Sequence, residues 1–337
     1  MKKEILLLKK LRIFMKIKKN IVVIGVGYWG KNLVRCFNQL GHLRGIFDTD
    51  VSKMVSIVSN YNNLNLYQSI HEIAEDKKVD GVVIATPVED HFSLAKFFLE
   101  SEKNVFVEKP MTMTASEAWQ LINLSEQKNK VLLVGHILEY HSAIKKMRQL
   151  INEGKIGILK EIYSHRLNTG KIRQLENVWW SFAPHDVLLI LNTVKSNIGR
   201  ISCVMSDYMK RGISDSTITT FLFENDVFAH IYVSWTHPFK YHNFVVVGTE
   251  GAIEFCDSRP DNKLRFYKNK LSNNGEEMMI EKGKYFDIEY EYTEPLMEEC
   301  RDFLYCIDNK KIPKSSGHDG LLVIEVLEKA VLLANNL

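Results

Sequence analysis

The chain has 337 residues and a formal net charge of only +3, with 44 Lys and Arg residues against 41 Asp and Glu residues. This near balance, without a basic stripe interleaved with aromatic side chains, argues against a nucleic-acid partner. The length exceeds what a single hydrophobic core usually supports, so we expect the chain to form two domains.

The amino-terminal segment and the cysteines bear on the location of the protein. Residues 1–19, MKKEILLLKKLRIFMKIKK, are basic, but their apolar run is only ILLL and no small-residue cleavage site follows. We interpret them as an N-terminal extension rather than a signal peptide, and no later segment has the apolar length of a membrane span. The 5 cysteines are scattered and never spaced as C-x-x-C, which predicts reduced thiols and no zinc site. We therefore expect a cytoplasmic protein with no membrane partner and no bound metal.

A dinucleotide-binding motif follows the first predicted strand, in the sequence NIVVIGVGYWGKNLVRCFNQL. An apolar, β-branched run leads directly into G-x-G-x-x-G, and an amphipathic helical pattern follows. Gly25 would permit the tight turn, Gly27 would let a pyrophosphate approach the backbone, and Gly30 would let helix and strand pack closely. The order of strand, turn and helix favours a nucleotide site over a chance match.

The second predicted strand, LRGIFDTD, reaches an acidic residue at the distance expected for a ribose contact. Asp48 lies about twenty residues beyond the glycines, where a carboxylate can accept the ribose hydroxyl groups. No arginine follows that would bind a 2′-phosphate, so NAD is favoured over NADP. The alternative is that Asp48 and Asp50 only shape the turn.

The first half of the chain continues to alternate between helical and extended patterns. GVVIAT is apolar and β-branched, HFSLAKFFLE is helical, and NVFVEK is extended. This alternation predicts a doubly wound parallel sheet of the Rossmann type over residues 20–135, with ligands outside the carboxyl ends of its strands. The residues at those ends or just beyond them are Thr86, Pro87, His91, Glu108 and Lys109.

A lysine at the end of a strand stands directly before a proline. Pro110 bars Lys109 from helical dihedrals and so fixes the direction of its side chain, and the bond between them is a candidate for the cis form. In a desolvated site beside a positively charged nicotinamide ring, this amine would titrate lower and could exchange a proton with a substrate hydroxyl group. Taken alone, a lysine beside Glu108 is more often an exposed ion pair.

The pattern changes after residue 135. A helical segment is followed by repeated extended segments, mostly alternating between apolar and polar residues and separated by turn residues. They predict an α+β domain over residues 136–337, built on a large, mainly antiparallel sheet with one face against helices and the other open. Two helical patterns close the chain. We expect Asp319 to cap the second of them, which is a candidate to pack back on the first domain.

The ordered combination of GVGYWG, TPVEDH and EKP, followed by an α+β half, carries a family resemblance. From about Asn20 to its end, the chain resembles the glucose-fructose oxidoreductase, inositol dehydrogenase and MocA family of NAD(P)-dependent sugar oxidoreductases. The resemblance implies that Lys109 lies near the nicotinamide and helps catalysis. It also implies a homodimer or homotetramer formed through the open sheet face. The cofactor-binding residues it implies are Gly25, Gly27, Tyr28, Trp29, Gly30, Asp48, Thr86, Pro87, His91, Glu108 and Lys109.

The resemblance also implies a second catalytic residue. Family members carry a histidine, often within D-x-x-x-H, on a helix that faces the nicotinamide, and His185 in SFAPHDV aligns with it. Ser181 stands where many relatives have the aspartate. The implied acid-base pair is therefore His185 with Lys109, in which a neutral imidazole can take the hydroxyl proton. We interpret Asp186 as structural, because adjacent residues on a helix point in different directions.

The stretch RLNTGKIRQLENVWWSFAPHD resembles the nucleotide-sugar branch of the family, the UDP-N-acetylglucosamine and UDP-N-acetyl-hexosaminuronate 3-dehydrogenases. A loop cation there would meet a diphosphate or a sugar carboxylate. Trp179 and Trp180 are more typical of a core, although one of them could form a pocket wall. We interpret His136 and His141 as structural. The implied substrate-binding residues are Lys171, Arg173, Asn177, Trp180, His185 and His237.

The expected function is NAD-dependent oxidation of the C3 hydroxyl group of a UDP-linked N-acetylated sugar, either UDP-N-acetylglucosamine or its uronic acid. The product would be a 3-keto sugar for the biosynthesis of amino sugars or surface polysaccharide. Two alternatives remain open: a reductase of a dTDP- or UDP-keto sugar, which the same residues would catalyse in reverse, and a non-catalytic NAD-binding regulatory protein that kept the fold.

Overall fold

The structure is a computed structural model that describes residues 18–61, 64–170, 172–173, 176–268, 270–273, 278–281 and 283–335. Nearly all of the predicted N-terminal extension lies outside the described residues, and so does Lys171.

The first sheet is parallel and has 6 strands in the order β3-β2-β1-β4-β5-β6. This is the doubly wound order that the alternating pattern predicts, so that prediction is confirmed. The central strands are buried along their whole length because helices cover both faces of the sheet. The strands are β1 (Ile21–Ile24), β2 (Leu43–Phe47), β3 (Asn65–Leu66), β4 (Gly81–Ile84), β5 (Asn104–Glu108) and β6 (Leu132–Gly135).

Helices alternate with these strands, and short polar caps begin several of them. The side chain of Asp50 accepts from the Ser52 amide, and Thr114 with Glu117 forms a capping box. Because the strand order reverses between β1 and β4, the crevice at their carboxyl ends is the expected ligand site. The helices are α1 (Gly30–Gln39), α2 (Val51–Val58), α3 (Ile70–Glu75), α4 (His91–Glu100) and α5 (Ala115–Gln127), and 3₁₀ turns span Val88–Asp90 and Ile137–Tyr140.

The second sheet has 8 strands in the order β16-β13-β12-β11-β7-β10-β9-β8. Only the pairing of β7 with β10 is parallel, which confirms the prediction of a mainly antiparallel sheet. Its strands are β7 (Leu159–Thr169), β8 (Ile198–Ser206), β9 (Ser216–Phe223), β10 (Phe228–Ser234), β11 (Thr236–Gly248), β12 (Ala252–Cys256), β13 (Leu264–Tyr267) and β16 (Tyr285–Asp287), while β14 (Lys270–Asn273) pairs separately with β15 (Met278–Glu281).

One face of this sheet packs against helices and the other is open. Along β9 the side chains of Thr219 and Phe221 are buried, whereas Ile218 and Leu222 are exposed, as the alternating sequence predicts. The helices on the covered face are α6 (Ser142–Asn152), α7 (Val178–Phe182), α8 (Pro184–Val194) and α10 (Gly317–Ala334).

Helix α9 (Pro295–Asn309) packs against the first sheet, although the sequence analysis placed it in the second domain. The ring of Phe303 makes edge contacts with Phe37 of α1 and Phe106 of β5. These residues share one buried core cluster with Cys300 and Leu296. The core of the first sheet is therefore completed by a helix from the end of the chain.

Helix α10 contacts both halves of the molecule. It packs on α5 and β6 of the first half and on α8 and β8 of the second. Its first turn carries a capping box in which Ser316 is the N-cap and Asp319 is the reciprocal partner. The expectation that Asp319 is the N-cap is wrong, because the helix begins one turn earlier.

Three further findings concern the cysteines, metal binding and membrane spans among the described residues. The 5 cysteines are buried and unpaired. Within the described ranges, no cluster of three or more His, Cys, Asp or Glu side chains could hold a metal ion. No helix in the same part of the chain has the length and apolar character needed to cross a membrane.

Candidate active site

Two adjoining cavities lie at the carboxyl edge of the first sheet. The larger, of about 810 Å³, is lined by the glycine loop and by the ends of β1, β2 and β4. The smaller, of about 360 Å³, is lined by Lys109 and His185 among others. Both volumes fall within the range of small-molecule sites. We call them the dinucleotide cavity and the catalytic cavity. The residues that line both are Tyr28, Trp29, Ala85, Thr86, Pro87 and Arg173.

The three glycines of the loop differ in what surrounds them. Gly25 has a φ of +82°, and a Cβ there would lie 2.7 Å from the Ala85 carbonyl oxygen. A Cβ on Gly30 would lie 1.9 Å from the Gly25 carbonyl oxygen, whereas a Cβ on Gly27 would meet nothing within 4 Å. The first and third glycines therefore permit close packing, and the middle one faces open space at the N-terminus of α1. This arrangement fits a pyrophosphate.

Asp48 lines the dinucleotide cavity and is also part of the turn that follows β2. Its carboxylate accepts from the backbone amides of Val26 and Asp50, each at 2.9 Å. The two interpretations of Asp48 are thus compatible. Lys53, which the sequence analysis did not single out, lines the same cavity with its Nζ atom 3.6 Å from Asp48 Oδ1. Its position in the helix directly after the acidic turn was the available signal.

The remaining loop residues, Tyr28 and Trp29, have different surroundings. The Tyr28 side chain is 91% exposed at the mouth of both cavities. The Trp29 indole Nε1 donates to a carboxylate oxygen of Glu108. Trp29 therefore ties the glycine loop to the end of β5.

Glu108 lies beneath this contact at the wall of the catalytic cavity. Burial raises the pKa of Glu108 to about 7, against the opposing effects of the Trp29 hydrogen bond and the nearby Lys109. A Cβ on Gly135 of the neighbouring strand β6 would lie 2.6 Å from Glu108 Oε2. The carboxyl group thus occupies the space that this glycine leaves.

His91 holds two loops together at the floor of the catalytic cavity. Its Nδ1 lies 2.8 Å from the Pro110 carbonyl oxygen and its Nε2 lies 3.1 Å from the Thr86 carbonyl oxygen. Carbonyl oxygens lie against both ring nitrogens, of which a neutral imidazole can donate from only one, and His91 contributes to the wall of the cavity. Thr86 donates its own hydroxyl to the Pro87 carbonyl oxygen at 3.3 Å.

Lys109 projects into the catalytic cavity from the end of β5. The Lys109–Pro110 peptide bond is cis, and the Nζ atom donates to the Ser181 carbonyl oxygen at 2.8 Å. Burial lowers the pKa of Lys109, while the carboxylates of Glu176 and Glu108 oppose that effect. An exposed ion pair, the alternative left open above, is therefore not what the structure places here.

His185 lines the same cavity from the first turn of α8. Burial lowers the pKa of His185 well below its ordinary value, and the Lys109 and Arg166 cations add to the effect. The ring packs edge-on against His136 at 5.7 Å between centroids, and burial lowers the pKa of His136 to about 3. Among the described residues, His185 Nδ1 has no hydrogen-bond partner. Both imidazoles are therefore neutral at neutral pH.

Asp186 and His141 serve packing and capping. Arg166 of β7 binds Asp186 through two hydrogen bonds of 2.6 and 3.0 Å, and the Ser164 hydroxyl donates to Asp186 at 2.8 Å. Helix α8 is thereby fastened to β7 beside His185. The Nδ1 of His141 accepts from the Ala143 amide at 3.1 Å and caps α6.

The predicted substrate-binding residues are not all brought together. Arg173 lines both cavities, is about half exposed, and has its Nε atom 3.3 Å from Glu176 Oε1. The Asn177 side-chain oxygen instead accepts from the Trp180 amide at 3.1 Å as the N-cap of α7, and Asn177 is not among the residues that line either cavity. A capping oxygen is already committed to the helix.

Two other predicted substrate-binding residues, Trp180 and His237, also lie outside the linings of the two cavities. Trp180 is 8% exposed and packs with Trp179 in the main hydrophobic cluster, so the core interpretation holds. His237 lies at the start of β11 with its Nδ1 3.0 Å from the Phe239 carbonyl oxygen, and it lines neither cavity. Trp180 is held in the core by its packing with Trp179, and His237 is held by the local turn to Phe239.

Glu176, like Lys53, is a cavity residue that the sequence analysis missed. It lines the catalytic cavity with Lys109 and His185 and is paired with Arg173. The available signal was a carboxylate directly before the helix cap at Asn177, in the loop that leads to His185.

The parallel sheet with its glycine-loop cavity, joined to a mainly antiparallel sheet, places the protein in the Rossmann class. A sequence profile described as "Oxidoreductase family, NAD-binding Rossmann fold" matches residues 19–136, and the profile of the GFO/IDH/MocA C-terminal domain matches residues 144–254. Together these matches cover more than half of the chain. The chain belongs to the GFO/IDH/MocA family.

Individual relatives are similar to this chain to different extents. UDP-N-acetylglucosamine 3-dehydrogenase of Acidithiobacillus ferrooxidans is 29% identical over 170 residues, which is 50% of this chain and about half, 52%, of that protein. D-xylose 1-dehydrogenase [NADP(+)] of Haloarcula marismortui is 21% identical over 329 residues, covering 91% of this chain and 88% of that protein.

Solved structures show the same fold. The crystal structure of the Acidithiobacillus enzyme superposes with a TM-score of 0.82 at 21% identity, covering 94% of this chain and 97% of that chain. GenD2 from gentamicin A biosynthesis, in complex with NAD, superposes with a TM-score of 0.81 at 18% identity, covering 95% of each chain. The names of these relatives include both NAD and NADP.

Proposed function

We propose that the protein is an NAD-dependent dehydrogenase that oxidises the C3 hydroxyl group of a UDP-linked N-acetylated sugar to a 3-keto sugar. The observation that carries the proposal is the arrangement of Lys109 and His185 on one cavity that adjoins the glycine-loop cavity. An aminotransferase could convert such a product into a 3-amino sugar.

The dinucleotide cavity suits NAD by the chemistry of its lining. The open backbone at Gly27 would hold the pyrophosphate, and Asp48 would accept the ribose hydroxyl groups. A 2′-phosphate would be repelled by Asp48, although Lys53 at 3.6 Å offsets part of that charge. When bound, the nicotinamide supplies one chemical capability, the acceptance of a hydride from the carbon that bears the hydroxyl group.

Lys109 is the better proton acceptor of the two catalytic candidates. The pKa of His185 is lowered so far by burial that its imidazole is a weak base. Burial also lowers the pKa of Lys109, but from a much higher ordinary value, which increases the neutral amine fraction near physiological pH. The hydroxyl proton passes to the neutral Lys109 amine, which becomes an ammonium group. His185 hydrogen-bonds the hydroxyl group and orients it.

The catalytic cavity suits a sugar whose nucleotide extends beyond it. At about 360 Å³ the cavity lies at the small end of ligand sites, so a complete nucleotide sugar would have to reach out of it. Arg173 stands at that opening, where a guanidinium group can bind a diphosphate or a uronic-acid carboxylate. The similarity to a UDP-N-acetylglucosamine 3-dehydrogenase supports this substrate class.

The proposal is tested by absorbance at the NADH band with purified protein, NAD or NADP, and a panel of UDP-sugars. We expect a rise with UDP-N-acetylglucosamine or its uronic acid, faster with NAD than with NADP. If the panel stays silent while calorimetry shows that NAD binds, the oxidation proposal fails. NADH consumption with keto sugars would then identify a reductase.

The roles of the catalytic pair predict two different losses. Lys109→Ala removes the proton acceptor and should lower kcat about 100-fold or more, the usual contribution of general acid-base catalysis. His185→Asn keeps a polar side chain but loses the imidazole, and we expect a smaller loss. Calorimetric NAD affinity is measured in both variants, so that a loss of turnover can be separated from a loss of cofactor binding. Undiminished turnover in Lys109→Ala would contradict the assignment.

A further inference from the structure

The charged groups around Lys109 come from three parts of the chain. Arg166 projects from β7 and is bound by Asp186, and Arg173 and Glu176 lie in the loop before α7. Glu108, the last residue of β5, precedes Lys109, and the neutral ring of His185 lines the same cavity and packs edge-on against His136. Two cations and two carboxylates thus act on a single buried amine.

The two carboxylates are not equivalent. Glu108 is engaged by Trp29 Nε1 and by the Lys109 backbone amide, and burial raises its pKa to about 7. Part of the Glu108 population is therefore uncharged at neutral pH. Glu176 lines the catalytic cavity, its side chain is 15% exposed, and it forms an ion pair with the half-exposed Arg173. Glu176 shares the catalytic cavity with Lys109, and its negative charge opposes the lowering of the Lys109 pKa by burial.

The structure also explains why Glu176 can hold its place. Asn177, the next residue, caps α7 by accepting from the Trp180 amide, and the buried Trp179 anchors the helix through its Nε1 contact with the Leu327 carbonyl oxygen. Glu176 is therefore the residue directly before the capped N-terminus of α7. The carbonyl of Ser181, one turn further on, receives the Lys109 hydrogen bond.

We propose, on the basis of the function proposed above, that Glu176 is a positioning residue whose carboxylate stabilises the protonated form of Lys109, and that Arg173 opposes it by sharing that carboxylate. The carboxylate that acts on the charge of Lys109 then comes from the loop before α7, while the hydrogen bond of Lys109 goes to the Ser181 carbonyl oxygen. Because the two side chains carry opposite charges, their removal must act on Lys109 in opposite directions.

The direct test measures the protonation of Lys109 without any substrate. Formaldehyde with cyanoborohydride methylates only neutral amines, and peptide mass spectrometry gives the methylated fraction of Lys109 at each pH. We expect the midpoint to fall by about one pH unit in Glu176→Gln and to rise in Arg173→Met. The exposed Lys160 is the internal reference, and Glu224→Gln, on an exposed turn of the second sheet, is the charge-matched control.

Turnover provides the second measurement. Oxidation needs the neutral amine, so the pH at which kcat/KM reaches half of its maximum should shift in the same two directions as the labelling midpoint. Glu176→Asp should restore part of the wild-type profile. Equal shifts in both variants, or no shift of Lys109 labelling, would overturn the role of Glu176 even if turnover is observed. Opposite labelling shifts in a protein that turns over no sugar would support Glu176 while the proposed function fails.

Discussion

Glu299 is a buried carboxyl group whose ionisation the fold opposes. It lies on α9 with no exposed surface, and neither of its oxygens has a hydrogen-bond partner among the described residues. Burial raises the pKa of Glu299 well above its ordinary value, and the nearby Glu108, Asp302 and Cys36 add to the effect. The folded protein therefore keeps Glu299 protonated at a pH where the unfolded chain has released the proton.

Glu299 should make the free energy of unfolding depend on pH. The pKa of Glu299 is higher in the folded protein than in the unfolded chain. Its contribution to the free energy of unfolding is therefore fully present below the ordinary glutamate pKa and is lost as the pH rises toward the folded pKa. Glu299→Gln has no proton to release at this position, so its free energy of unfolding should not fall for this reason. Relative to the wild type, the free energy of unfolding of the variant should rise by at most about 1.4 kcal/mol for each pH unit above 5. Urea unfolding between pH 5 and 8 measures the difference.

The exposed Glu325 of α10 offers a matched control for this prediction. Glu325→Gln should leave the difference from wild type nearly constant with pH. A constant difference for Glu299→Gln as well would show that Glu299 ionises normally in the folded state.

At the scale of elements, two glycines of the loop between β1 and α1 have different roles, one in packing and one in ligand binding. Gly30 has no room for a Cβ because the Gly25 carbonyl oxygen would lie 1.9 Å away, whereas Gly27 has open space within 4 Å. Both residues belong to one motif, but only Gly30 is required by the fold without a ligand. Gly27 is required only if something approaches the backbone.

This difference predicts opposite results for two alanine variants. Gly30→Ala should lower the free energy of unfolding of the ligand-free protein by about 2 kcal/mol or more, as overpacking does. Gly27→Ala should stay within about 0.5 kcal/mol of wild type. It should nevertheless weaken NAD binding at least about 10-fold, because a methyl group would fill the space for the pyrophosphate. Calorimetry and urea unfolding measure both quantities. Unchanged NAD affinity in Gly27→Ala would contradict the placement of the cofactor.

At the scale of the whole molecule, the open face of the second sheet carries exposed apolar side chains on adjacent strands. Val204 pairs across the strands with Ile218, which pairs in turn with Tyr232, and Leu222 pairs with Phe228. The exposed fractions of Val204, Ile218 and Leu222 are 64%, 49% and 37%. Grouped apolar exposure of this kind is typical of an interaction surface.

We propose that this face joins copies of the chain into a dimer or tetramer. The double variant Val204→Glu with Ile218→Glu would place four or more unpaired charges in a symmetric interface, so we expect a monomer by sedimentation at micromolar concentration. Ile312→Glu is the control, because Ile312 is 82% exposed and lies outside this sheet. A monomeric wild type, or a double variant with unchanged mass, would refute the proposal.

Much of the fold could be predicted because its signals are local. Alternation of buried strands and helical segments predicts the parallel order of the first sheet, and period-two alternation predicts the open face of the second. The position of α9 could not be predicted in this way. Its apolar stripe shows that it must pack, but its contacts with Phe37 and Phe106 join residues more than half the chain apart.

The sequence by itself determined the elements whose physics lies within a few residues: the glycine loop, the constraint that Pro110 places on Lys109, and the strand and helix periods. The tertiary structure alone decided which side chains share the catalytic cavity. Glu176 and Lys109 come from distant segments, while Asn177 and Trp180 are taken by a helix cap and the core. The reason is physical: backbone geometry follows from local sterics, whereas the neighbours, burial and charge of a side chain depend on how distant elements pack.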